Sequence, residues 1–461
     1  MSHADGAEPP AEPGGPAPPR TSLARATYAA LQADVMQAVS DFVVVVVVAR
    51  ALGPTERGVF FLAVLASTLI ALAGNLGLAT AGIVFGANRR VPLRELHGLA
   101  VLLSVAVGVV GAALLLGLQQ VWFTTVLQGM STVTLVLVAV SLAPVLYAQI
   151  AGAMLYGMGL TREISAIRVV LAIVTPALMI PAVLLGGRTA GWAVAAWVVT
   201  MVMFAVAIAV YLVRQLSAPT WPRRQTVRTL LSFSLRSYVG TLAHQGFLRI
   251  DVLFVSARLG PRAVGIYAQA AGLAERMMTL GHAMYSSSAS RLGGDPPDRA
   301  AELTAELVRV LLLILAPVGI VLALLAEPIM LLLFGSAFEA AAKPFAILLP
   351  GTICLTIWSV LSLYIVSSLH RPGLTTLIQG AALIVSVPLY WLAVRDWGYN
   401  GAAVVSTLVY AGLLAAGMAI LLRSPHVSWR QLRPTAHDVR HMRDLARAAL
   451  AAARSAALAR R

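Results

Sequence analysis

The chain has 461 residues, 59% of them hydrophobic and only 11% charged, with a mean hydropathy of +0.84. No soluble domain needs so much apolar sequence, whereas helical membrane proteins do. The net charge of +15, from 34 basic against 19 acidic residues, marks cytoplasmic loops in a membrane protein rather than binding to nucleic acid. The single cysteine, Cys354, excludes a disulfide framework and reads as a small buried hydrophobe.

In chain order, residues 1–20 are rich in Pro, Gly, Ala and Glu and are expected to be a disordered cytoplasmic tail. No apolar core of a secretory signal follows them directly. Twelve apolar runs follow, each long enough to span a bilayer, which takes about 20 residues. Six of them, at 27–49, 57–86, 95–118, 130–156, 164–186 and 190–213, make an N-terminal bundle over residues 21–214. A polar linker with Pro219, Pro222, Arg223 and Arg224 occupies 215–227. Six more runs, at 230–256, 263–290, 303–326, 345–369, 373–394 and 400–422, make a C-terminal bundle over 228–423. Residues 328–338 are apolar but too short to span, and residues 424–461 are a basic cytoplasmic tail. In that tail Arg440, Arg443 and Arg447 share one helical face, placed either for anionic headgroups or simply for solvent. The fold class expected is an all-α polytopic membrane protein, with about twelve transmembrane helices as two six-helix bundles related by an internal repeat.

The repeat is carried by two short stretches. Gly53, Pro54, Gly58 and Phe60 fall on Gly260, Pro261, Gly265 and Tyr267 with a constant offset of 207 residues. Each stretch ends the first span of its half and begins the second, so each reads as a tight turn built on glycine and stopped by proline. With the N-terminus inside, 25 of the basic residues lie on the cytoplasmic side and seven, Arg57 among them, on the other. The positive-inside rule then places both termini in the cytoplasm.

Charged groups inside spans are costly and therefore candidate functional residues. Span one carries Asp34, Gln37 and Asp41 on one face; span two carries Asn75. Span seven carries His244, Gln245, Arg249 and Asp251, with Gln245 and Arg249 on one face at i, i+4 and His244 and Asp251 on another at i, i+7. Span eight carries Gln269, Glu275, Arg276 and His282. Polar stripes on both duplicated first helices place the expected cavity between the halves. Competing readings remain for these residues: Asp34 and Arg249 as structural partners across the bundle, the histidines as hydrogen-bonding groups rather than proton carriers, and Asn75 as a helix-packing residue. Glu275 and Arg276 point to different faces, so each is expected to pair elsewhere or to snorkel toward an interface rather than to pair with the other. Nothing matches an enzyme motif, a nucleotide-binding loop or a metal-ligand spacing, so no cofactor and no metal are expected, and Ser286, Ser287 and Ser288 lack a nucleophile elbow.

The order of several motifs resembles a known family. Besides the Leu-Gly-Pro-x-x-x-Gly-aromatic turns, these are Leu331 to Phe338 followed by Ala340, Ala341 and Pro344, then Ser368-Leu369-His370-Arg371-Pro372, and Trp397-Gly398-Tyr399-Asn400-Gly401-Ala402-Ala403. Over residues 22–423 the chain resembles polysaccharide-biosynthesis flippases of the multidrug/oligosaccharidyl-lipid/polysaccharide exporter superfamily. The resemblance implies an alternating-access transporter in the inner or plasma membrane, not an enzyme. Its partners would be a polyprenyl-diphosphate-linked oligosaccharide, membrane lipids and other polysaccharide-assembly proteins. Arg249, with Arg276 second, would hold the diphosphate, since the guanidinium fork matches phosphate oxygens. Asp34, Gln37, Asp41, Gln245 and Asp251 would line the central cavity. Asp34, Asp41, His244, Glu275 and His282 are the candidate coupling groups. Span one has two aspartates and no central arginine, unlike lipid II flippases. That acidic span also suits a cation-coupled multidrug exporter. A glycan polymerase or ligase fits less well, for want of a sizeable extracytoplasmic loop, and an inactive scaffold would have an uncharged cavity.

Overall fold

The computed structural model describes residues 23–279 and 296–424, together with Val427. The expected disordered segment 1–20, His282, Ser286 to Ser288 and the basic tail beyond 427 lie outside these residues. The helices are α1 (Leu23–Asn75), α2 (Leu78–Asn88), α3 (Leu93–Gly117), α4 (Gln119–Thr124), α5 (Thr132–Gly157), α6 (Thr161–Leu185), α7 (Ala190–Leu216), α8 (Arg224–Phe247), α9 (Ile250–Ala274), α10 (Pro297–Leu324), α11 (Ala326–Phe334), α12 (Ala342–Leu363) and α13 (Pro372–Leu421).

Three of these carry two spans or parts of two. A straight helix of 53 residues, the length of α1, would run about 80 Å at 1.5 Å per residue, far beyond the roughly 30 Å of hydrocarbon. It folds back at Gly53, whose φ of 71° and ψ of 176° belong to a backbone region only glycine enters freely. Gly260 in α9 repeats the conformation at φ 75° and ψ −175°. Gly398 does so within α13 at φ 59° and ψ −145°. The two duplicated turns are therefore single-glycine reversals, and a third reversal joins spans eleven and twelve. Eight of the described helical stretches are long and apolar enough to cross a membrane, and two of them, Gln32–Asn75 and Pro372–Leu421, are of double length. α8 and α9, with their arginines, serines and histidine, complete the set. The chain is an all-α polytopic membrane protein of two six-helix bundles related by an internal repeat.

Three spans are less continuous than their hydropathy suggests. Span two breaks at Leu76 and Gly77, which have φ of 49° and 77°. Asn75 stitches the break, accepting the Ala79 N–H at 3.0 Å and donating to Gln149 Oε1 at 3.2 Å, which makes it the packing residue expected. Span seven breaks at Leu248 and Arg249, between α8 and α9. Span eight tightens to a 3₁₀ turn over Glu275–Met277. The apolar stretch near 328–338 forms the nine-residue α11, too short to span.

The two halves meet across a seam built from the repeat itself. A Cβ on Gly58 would lie 1.8 Å from the Pro261 carbonyl oxygen, and one on Gly265 would lie 1.9 Å from that of Pro54. Each copy's glycine thus receives the other copy's proline carbonyl, as in a two-fold interface where residue i meets j and j meets i. In a membrane, water does not drive helices together, so association rests on such close approaches of small residues. More bonds cross at this turn end. Arg50 donates to the Leu332 and Leu333 carbonyls at the end of α11, and Ser256 donates to the Val126 carbonyl. The seam is closed there. Farther along, Tyr238 of α8 donates to the Leu72 and Ala73 carbonyls, each at 2.6 Å. By contrast, the beginning of α1 leaves Val35, Val39 and Phe42 exposed.

The linker end is latched. Glu95, in the first turn of α3, accepts the Arg223 N–H at 3.0 Å and the Thr226 hydroxyl at 2.6 Å, so it caps α8 from the other half. Arg94 Nε donates to the Ala218 carbonyl at 3.0 Å, and Gly98 leaves room for the Thr220 carbonyl, which a Cβ would meet at 1.9 Å. Removing a helix cap costs about 1 kcal/mol, roughly fivefold in an opening equilibrium. Glu95→Ala should therefore raise the rate of tryptic cleavage at the exposed Arg223–Arg224 pair by about fivefold. An unchanged rate would show that the linker is held by other contacts.

Candidate functional site

The charged centre of the C-terminal half forms where two helices are interrupted. Arg249 stands outside helical geometry, with φ −129° and ψ −5°, at the start of α9. Glu275 opens the 3₁₀ turn at the other end of the same element. The two meet in a bidentate pair, Arg249 Nη1 to Glu275 Oε1 at 2.8 Å and Nη2 to Oε2 at 3.1 Å. Both side chains are about one-third exposed, at 33% and 30%, so the pair is open to an approaching solute. The break at 248–249 also corrects the helical-face reading: Gln245 and Arg249 do not share an i, i+4 face, nor His244 and Asp251 an i, i+7 face, because no continuous helix links them. His244 instead accepts from Gln379 Nε2 of α13 at 3.2 Å, and Gln245 is exposed.

Asp251, two residues on, is 4% exposed and belongs to a different network. Its Oδ1 accepts the Val252 N–H at 2.7 Å, and its Oδ2 accepts the Tyr267 hydroxyl at 2.6 Å. Ser406 Oγ approaches the same Oδ2 at 3.4 Å and shares a hydrogen bond with Tyr390 at 2.9 Å. This carboxylate ties both limbs of α9 to both limbs of α13. A buried carboxylate is tolerable only with such a set of donors.

In the N-terminal half, Asp34 pairs with Arg168 Nη1 of α6 at 2.8 Å. Gln37 Nε2 donates to Asp41 Oδ1 at 2.9 Å, as their i, i+4 spacing allows. The alternative pairing of Asp34 with Arg249 across the bundle does not occur: each charge is met within its own half. Arg276 is exposed and makes no ion pair among the described residues. It borders an apolar groove with Phe42, Met277, Leu315 and Phe345.

One charged residue lies where the sequence did not place it. Arg57 reads as a loop arginine just past the Gly-Pro turn, yet it is 7% exposed, packed in the seam. Its Nε donates to Gln269 Oε1 at 3.2 Å, and its guanidinium lies 5.2 Å from the centre of the Phe60 ring. The turn is a single residue, so helix α1 resumes at once and carries Arg57 inward; a longer loop would have left it in water.

A sequence profile of a family described as polysaccharide biosynthesis protein matches residues 47–343. No curated protein matches. Solved structures do. A multidrug resistance MATE family transporter of the MOP superfamily, in an inward-facing conformation, superposes with a TM-score of 0.67 at 16% identity, covering 86% of this chain and 99% of that one. An outward-facing conformation of such a transporter gives 0.59 at 17% identity, with 87% and 96% covered. The Vibrio cholerae MATE transporter VcmN in its bent form gives 0.56 at 14% identity, with 87% and 98% covered. These likenesses establish the fold.

Proposed function

Since the chain belongs to the polysaccharide biosynthesis protein family and folds as MOP-superfamily transporters do, we propose that it flips a polyprenyl-diphosphate-linked oligosaccharide from the cytoplasmic to the outer leaflet. The observation that carries this reading is the Arg249–Glu275 pair, a bidentate guanidinium that is one-third exposed at two facing helix breaks. Such a fork matches the oxygens of a diphosphate, and diphosphate and sugars cannot cross hydrocarbon without a polar path. Entry of the diphosphate displaces Glu275 from Arg249, exchanging one bidentate partner for another. Arg276 provides the second cation, with the apolar groove beside it for part of the prenyl chain. Asp34, Gln37, Asp41 and Gln245 contact sugars. Asp251 braces the C-terminal half against its own α13.

The closed turn end faces the outside and the latched linker faces the cytoplasm, in the inner or plasma membrane, with both termini cytoplasmic. Transport then consists of opening the glycine seam while the other end closes. A cation-coupled drug exporter is the second reading, favoured by the acidic stripe of span one and by the buried Asp251 network, a ready place for a coupling proton or cation.

The two readings separate in a deletion strain. Lipid-linked glycan facing the cytoplasm should accumulate several-fold, with no change in tolerance of cationic dyes. Unchanged glycan lipids together with dye sensitivity would overturn the flippase reading.

A further inference from the structure

The seam holds a cation that its packing does not require. Arg57 has Gln269 Oε1 as its acceptor, and no carboxylate pairs with it among the described residues. The adjacent carboxylate of Glu56 is turned away, accepting the Ala190 N–H at 2.6 Å. Gln269 is 3% exposed, and its Nε2 has no acceptor. Arg57 gives one of its five N–H donors to Gln269, and the Gln269 amide nitrogen is a buried donor without an acceptor, so this corner of the seam has donors to spare for an anion. A buried charge without a counter-charge is expensive.

The repeat shows what the seam needs mechanically. Shifted by 207 residues, Arg57 corresponds to Val264, and Gln269 corresponds to Leu62. Both are buried, at 0% and 1% exposure. The same corner is therefore packed by valine and leucine on one side of the pseudo-two-fold axis and by arginine and glutamine on the other. The polar pair is an addition to a seam that closes without it. It also lies between the first site and the turn end: Gln269 precedes Glu275 by six residues, about 9 Å nearer the Gly260 turn at 1.5 Å per residue.

We propose that Arg57 and Gln269 form a second anion site, buried while the turn end is closed and uncovered as it opens, that receives the diphosphate after it leaves Arg249. This rests on the flippase reading for the identity of the cargo, but not for the existence of the site. Opening hydrates the guanidinium and supplies its missing acceptor, so the anion favours the open form.

The test is titration of the purified full-length protein with inorganic pyrophosphate, followed by thermal shift. In an Arg249→Ala, Arg276→Ala background, which removes both cations of the first site, pyrophosphate should still bind. Adding Arg57→Val and Gln269→Leu, the residues of the repeat-related corner, should weaken that binding by tenfold or more. The unliganded melting temperature should hold or rise, since apolar replacement of a buried polar pair is neutral or stabilising. If the pair of substitutions impairs folding, Arg57→Met alone gives the same readout. Pyrophosphate binding in the double-alanine background that ignores the Arg57 substitutions would overturn the proposal, as would no binding in that background. The glycan-lipid measurement judges the flippase reading separately, so either can fail alone.

Discussion

Gly58→Ala should open the turn end of the transporter. The added methyl would sit 1.8 Å from the Pro261 carbonyl oxygen and 2.9 Å from the Gly265 nitrogen, both backbone atoms that cannot swing aside. Gly265→Ala meets Pro54 in the same way, with its methyl 1.9 Å from the carbonyl oxygen. Overpacking of this kind costs about 1–3 kcal/mol, enough to shift a conformational equilibrium by roughly tenfold or more. In the proposed transport cycle the seam is the interface that opens, so the cost falls on the closed form and leaves each half intact. The measurement is labelling of Ser256→Cys by a membrane-impermeant maleimide, in a protein lacking Cys354. Ser256 is fully buried against Val126 in the closed seam. Labelling should be slow in the parent and at least tenfold faster with either alanine. Equal rates would mean that the glycine seam does not hold the turn end shut.

Arg249→Ala should abolish transport, and Glu275→Gln should not. Removing the arginine strips the site of its fork and leaves Glu275 as an unpaired carboxylate facing the proposed anionic cargo. Breaking a desolvated charge pair from one side costs about 3–5 kcal/mol, and the one-third exposure of this pair brings that toward 2 kcal/mol, so a loss of thirtyfold or more is expected. Glu275→Gln instead frees the guanidinium, so pyrophosphate should bind more tightly, while release slows and turnover falls by a smaller factor. Arg249→Lys keeps the charge but loses the bidentate geometry and should fall between the two. The order parent, glutamine, lysine, alanine in lipid-linked glycan transported is the expected result. Activity in Arg249→Ala near the parent's would remove Arg249 from the site.

These outcomes depend on features that differ in how far they could be read from residues alone. Length, apolar runs and the offset of 207 between the Gly-Pro turns determined the class, the two six-helix halves and the duplicated reversals. They did so because a bilayer admits few ways to satisfy a backbone, and because glycine and proline act locally. The packing role of Asn75 was also legible, since an amide in an apolar span must find partners nearby. Helix interruptions were not: Leu248 and Arg249 lie in a run whose hydropathy and spacing permit a continuous helix. Face arguments built on i, i+4 therefore failed for Gln245. Charge partners were equally hidden, because Asp34 with Arg168 and Arg249 with Glu275 are matched by how helices lean together, not by spacing along one of them.

The depth of Arg57 is the sharpest case. By itself the sequence determined that a glycine turn precedes Arg57 and that its repeat mate is valine. Only the tertiary structure decided that this turn is one residue long, that the two copies press their glycines against each other's prolines, and that the arginine is thereby buried in the seam. The reason is physical: backbone dihedrals are set by neighbours in sequence, whereas burial and ion pairing are set by neighbours in space.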